Sequence, residues 1–214
     1  MLKEALNLLI TLDKAVYLNL ANALEIGGYS LVIALVLGVP MGVLLGVNRF
    51  RGRRAMLFLV HLWLFLPLVS LGLFLAYVRT GSVPEPLVYI VWMALFIWPV
   101  FTALIADVLN RCDEAAIESA FAAGATRWQL YLTLVREYRE GIFGAVTLGI
   151  ARVFTEIGGF FLVLGVLHGK GFPLRPHTPL TDPVSNLAVA IGLVLFGAII
   201  YLLIHLIQFK RVVR

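Results

Sequence analysis

Residues 26–47 read IGGYSLVIALVLGVPMGVLLGV, 22 residues without one charged side chain. A helix needs about 20 apolar residues to cross the hydrocarbon core of a bilayer. A strand of this composition would leave its backbone groups unpaired in lipid, so helix is the form that fits. Four further runs repeat the pattern. Ala55–Val78 is uncharged except where His61 gains a proton, and Leu87–Ala106 is uncharged. Gly141–Leu167 carries only Arg152 and Glu156, and Val184–Ile207 only His205. Charged residues make up 14% of the chain, against about 25% in soluble domains. So few charges cannot cover a water-facing surface of 214 residues. The sequence therefore predicts an all-α membrane protein with five transmembrane helices, organised as one domain over residues 1–214.

Lys and Arg set the orientation. Eleven lie on the side that holds Arg49–Arg54, Arg111–Arg139 and the C-terminal tail, and five on the other. The positive-inside rule then predicts an outside N-terminus and a cytoplasmic C-terminus. The mixed segment Met1–Leu24 is predicted as an amphipathic lead-in helix at the outer interface. Its acidic residues, and the lack of a small-residue cleavage site after a short apolar run, argue against a signal peptide. The extracytoplasmic loops Arg79–Pro86 and His168–Pro183 are too short to fold as domains.

Several function classes drop out. The net charge of +5 sits at the ends of apolar runs, which marks topology rather than nucleic-acid binding. Cys112 is the single cysteine, so one chain holds no disulfide and no thiolate cluster. It reads as a small buried residue. His61 and His205 lack a second ligand at metal spacing and read as hydrogen-bonded residues. His168 and His177 read as loop residues. No nucleophile–base constellation is present. Gly169-Lys170-Gly171 lacks the frame of a phosphate loop, so no ATP site is expected in this chain.

The longest cytoplasmic connection, Asp113–Glu140, reads DEAAIESAFAAGATRWQLYLTLVREYRE. Asp113 can cap a helix that begins at Glu114, where acidic residues suit the dipole. Gly124 breaks the alanine-rich run. A second helix over Thr126–Val135 follows, with Thr126 as cap and Trp128, Leu130, Tyr131 and Leu134 as apolar anchors. Two short helices meeting at a glycine form a knob. Its apolar residues either fill a pocket on a partner protein or fold onto the chain's own bundle, and periodicity does not choose between these.

Arg152 and Glu156 lie at i and i+4 within a predicted span and share a face. Intramembrane charges face a bundle interior or a water path. The pair is either a self-neutralising lock or a gate or coupling element. Pro67 and Gly72 in the second span, and Pro99 in the third, mark helix breaks that serve packing or border a pathway. Gly158, Gly159 and Gly165 suit close helix crossing or a gate hinge.

The spacing Glu118-x-Ala120-x-x-x-Gly124, followed ten residues on by Leu134, resembles the EAA loop of ABC importer permeases. Ser119 replaces the first alanine of that motif, and Arg136 and Glu137 stand where leucine and proline are usual. The likeness runs along most of the chain and is greatest to the tungstate/molybdate branch. It is carried by Leu8–Tyr17, Val39–Gly42, Phe50–Arg54, Leu66–Leu73, Arg152–Gly158 and Asn186–Leu195, with departures over Gly165–Pro183.

The resemblance implies the type I importer permease fold, with 113–137 as cytoplasmic coupling helices. It implies a homodimer in a prokaryotic inner membrane, two ATP-binding subunits that hold ATP and Mg, and an external binding protein. Docking to the ATPase would fall on Glu114, Glu118, Ala120, Gly124, Ala125, Trp128, Leu130 and Leu134. Pro67, Gly72, Arg152 and Glu156 would serve the path or its coupling. The expected cargo is an oxyanion, tungstate or molybdate. The rivals are a permease for sulfate or an amino acid, a secondary transporter, and a membrane scaffold without transport.

Overall fold

Asp13 opens the longest helix. Its Oδ1 accepts from the backbone N–H of Ala15 at 3.0 Å and of Val16 at 3.1 Å. That satisfies two of the donors every helix start leaves open. From there α2 runs from Lys14 to Val47. At ~1.5 Å per residue its 34 residues extend roughly 51 Å, well beyond the ~30 Å hydrocarbon core. The lead-in expectation is thereby corrected. Met1–Leu24 is not one interfacial helix. Leu2–Ile10 forms a separate helix, α1, and residues 14–24 are the first turns of α2. Asp13, one of the two acidic side chains that made the segment look mixed, is the cap of the following helix.

This computed structural model describes residues 1–11, 13–67, 70, 85–168 and 183–212. The remaining helices are α3 (Arg53–Trp63), α4 (Glu85–Leu109), α5 (Glu114–Ala122), α6 (Arg127–Glu137), α7 (Arg139–His168) and α8 (Pro183–Val212). Among the described residues there is no strand. Gly72, His177 and most of both predicted extracytoplasmic loops lie outside them.

The second predicted span meets a correction. α3 stops at Trp63 rather than running on through Pro67. The N–H groups of Leu64 and Phe65 donate to His61 and Leu62 at 3.0 and 3.1 Å, the tight i→i−3 pattern of a closing turn. Pro67 disfavours helical backbone at the residue before it. It therefore stands beyond a helix end, not at a kink within one. α2 and α4 continue through Pro40 and Pro99. Among the described residues, Lys14–Val47 and Leu87–Leu109 are long and apolar enough to cross a membrane, and Leu187–Leu203 is a shorter apolar stretch.

The chain forms two units. The first contains Met1–Val32, Leu66–Phe96 and Ile150–Arg214. In it α1 packs on α8, and Leu9 and Leu20 close around Gly192. Gly27 lets α2 approach Phe154 and Ile157 of α7. The Ser30 hydroxyl reaches the Ile90 carbonyl at 3.1 Å. Phe154 meets Phe196 edge to face with centroids 5.2 Å apart.

The second unit contains Ile33–Phe65 and Ile97–Gly149. Its seam is a glycine at every fourth residue of α2. A Cβ on Gly38 would lie 2.7 Å from that of Phe101, one on Gly42 2.8 Å from that of Ile105, and one on Gly46 2.7 Å from that of Leu109. α2 and α4 are thus in backbone-close contact, the use small residues find in membrane bundles. Gly158, Gly159 and Gly165 lie in the helix Arg139–His168, and the crossing expected of them falls outside the described contacts.

Candidate functional site

The predicted knob is two capped helices around one turn. At its start Asp113 Oδ1 accepts from the N–H of Ala115 at 3.0 Å. α5 ends at Ala122, and Gly124 takes a left-handed φ of 85°. The Gly124 N–H donates to Phe121 at 2.9 Å and the Ala125 N–H to Ala120 at 3.0 Å. These two bonds form a Schellman motif, which favours glycine at that position. α6 opens with a capping box. The Thr126 N–H donates to Gln129 Oε1 at 2.9 Å, and the Gln129 N–H to Thr126 Oγ1 at 3.3 Å. Both reciprocal bonds are local, so the turn holds its shape without a partner.

The α6 side chains divide between two faces. Leu130 and Leu134 are buried in a core with Val43, Val47, Ile105, Leu109, Cys112 and Ala145. Ala120 and Tyr131 pack against that core. The Tyr131 hydroxyl donates to Asn48 Oδ1 at 2.8 Å. Four residues read as partner contacts or anchors thus serve the chain's own packing: Ala120, Leu130, Tyr131 and Leu134. Their spacing marks an apolar face, and the nearest apolar surface is the bundle beneath. Trp128 turns the other way and is 69% exposed. Glu118 and Gly124 are exposed and Ala125 half-buried. Glu114 begins α5.

Phe121, 43% exposed, was missed by the sequence reading. An aromatic in the last turn before a glycine cap, mirrored by Trp128 in the first turn after it, was the available signal. Large apolar side chains held outward on a rigid turn are what a partner's pocket recognises.

A buried arginine supports the seat. Arg53, counted in the sequence only as a topology charge, is 8% exposed. Its Nε donates to the Leu45 carbonyl at 2.7 Å and its Nη2 to Gly46 at 3.2 Å and to Asn110 Oδ1 at 2.7 Å. A guanidinium here covers open carbonyls and suits the negative end of the α2 dipole. Arg49 also reaches Asn110, at 3.1 Å. Cys112 is buried below the knob, and burial pushes its thiol up, against the lowering effect of a hydrogen bond with Tyr138.

In the first unit, Arg152 Nε donates to Glu156 Oε1 at 2.7 Å. Both side chains keep part of their surface open, and Thr155 beside them bonds the Arg152 carbonyl at 2.7 Å. Among the described residues no group of three His, Cys, Asp or Glu side chains could hold a metal ion.

Residues 38–209 match the family described as binding-protein-dependent transport system inner membrane component. The chain belongs to this family. It is a non-catalytic transport component of the ABC permease type, and membership implies a membrane, an ATPase partner and a substrate-binding protein. The chain is 23% identical over 203 residues to the tungstate uptake system permease protein TupB of Peptoclostridium acidaminophilum, covering 90% of this chain and 89% of that protein. It is 26% identical over 194 residues to the molybdate/tungstate transport system permease protein WtpB of Thermococcus kodakarensis, covering 86% and 78%. The phosphate transport system permease protein PstA of Yersinia pestis is 25% identical over 182 residues, covering 81% and 60%.

Proposed function

We propose that this permease is the membrane subunit of an ATP-driven importer of tungstate or molybdate. The observation that supports this cargo is the end-to-end likeness to TupB, which covers nine tenths of this chain and nearly as much of the relative. Two copies, each a single permease domain of five spans with the N-terminus outside, would enclose the path. Two ATPase subunits would carry ATP and Mg, and an external binding protein would deliver the anion.

The knob is the coupling element. Phe121, Trp128, Glu118 and the Gly124 turn form its partner-facing surface, with Glu114 and Ala125 at its margins. Leu130, Leu134 and Ala120 transmit its movement to the bundle. ATP-driven closure of the partners would shift the helices between inward- and outward-facing states through contacts that differ between them. Arg152 and Glu156, with Pro67 and Gly72, serve the path or its coupling.

The likeness to PstA favours phosphate as the second reading. A thermal-shift screen of the cognate binding protein against tungstate, molybdate, phosphate, sulfate and amino acids tests the cargo. Stabilisation by tungstate or molybdate alone is the expected result. A response to phosphate, sulfate or an amino acid in their place would reassign it.

A further inference from the structure

One ion pair of the second unit takes no part in the knob or its seat. His61 on α3 places Nδ1 2.6 Å from the Leu57 carbonyl and Nε2 2.9 and 3.0 Å from the two carboxylate oxygens of Asp107 on α4. Both ring nitrogens therefore face acceptors. A neutral imidazole has one N–H and can serve only one of them, whereas an imidazolium serves both. The carboxylate and the carbonyl offer no proton in return.

The Leu57 carbonyl and the Asp107 carboxylate are the acceptors that face the His61 ring. Among the charged groups on the elements around them, Arg111 follows Asp107 by one turn of sequence, Arg54 precedes His61 by two, and Arg49 and Arg53 bond Asn110. Asp107 lies on α4 between Ile105 and Leu109, two members of the core beneath the knob. Both His61 and Asp107 are only partly covered by the chain, with side chains 37% and 49% exposed.

We propose that His61 and Asp107 form a proton-dependent clasp that ties α3 to α4, complete only while the imidazole carries both protons. The sign follows from the acceptors. Acidification supplies the second N–H and closes the clasp. Alkalinisation removes it: the one remaining N–H then serves either Asp107 or the Leu57 carbonyl, which also keeps the His61 backbone N–H within α3, and the Asp107 contact loses its opposite charge. The change falls in the range where histidine titrates, so the helix behind the coupling knob is tied more tightly at low pH.

The test uses the full transporter with its ATPase in lipid nanodiscs. Hydrogen exchange of the α3 amides, corrected for intrinsic rates, is compared at about pH 6 and about pH 8. Wild-type protection should fall by about tenfold or more on going to the higher pH, the effect of one hydrogen bond to a charged group. In Asp107→Asn and in His61→Gln the protection should vary little with pH. In labelled protein, the ring-nitrogen shifts assigned to His61 should be those of an imidazolium at the lower pH. Equal pH dependence in wild type and both variants, or a neutral His61 ring at the lower pH, overturns the proposal.

Discussion

Trp128 and Leu134 lie less than two turns apart on α6, and substitution should separate their roles. Trp128→Ala removes an outward aromatic and leaves the core untouched. We expect binding to the ATPase subunit to weaken by about 2 kcal/mol or more, roughly 30-fold, with an unchanged melting curve. Leu134→Ala opens a cavity beneath the knob and should lower stability by about 2–5 kcal/mol, read as a shifted unfolding transition in detergent. Cys112 gives a third test. Thiolate is the reactive form, and burial pushes this thiol up. Maleimide labelling of the folded protein should stay slow through neutral pH and quicken on unfolding. The sequence made the apolar positions of α6 legible, but not their direction. Leu130 and Leu134 are both apolar, as is Trp128, and only the position of the core says which of them is covered. The partnership of His61 was also hidden, because Asp107 stands 46 residues away and no local pattern links the two.

At the scale of the element, the glycine seam bears most directly on stability. Gly42→Leu would drive a side chain into Ile105, where even a Cβ comes within 2.8 Å. α2 and α4 must then separate, and we expect loss of folded protein by size-exclusion chromatography. Gly28→Leu, on the same helix where nothing lies within 4 Å, should leave the yield intact. Gly124→Ala is a milder case. Its surroundings are open, so only the left-handed backbone resists, at about 1–2 kcal/mol. The long helices were legible because uncharged runs of spanning length have few alternatives in a membrane chain. Their ends were harder to read. Asp13 looked like a surface charge within a mixed segment and is a cap. Arg53 looked like a topology signal and is a buried clamp on carbonyls. In both cases the side chain's meaning depends on backbone groups left open at a helix end, the first N–H groups of α2 for Asp13 and its last carbonyls for Arg53.

For the molecule as a whole, substitution of Arg152 and Glu156 tests whether transport can be separated from assembly. Arg152→Ala leaves a half-buried carboxylate without its guanidinium and is expected to reduce uptake in proteoliposomes while the ATPase still co-purifies. The double variant Arg152→Ala/Glu156→Ala removes both charges and should recover stability. Uptake that recovers with it would return the pair to a packing role. The turn around Gly124 has a further consequence for assembly. Its helix ends are closed by the chain's own bonds, so little is left to fold when a partner arrives. Docking should then proceed as a rigid encounter. The heat-capacity change of association should reflect only the apolar surface covered, without the larger signature of a segment that orders on binding.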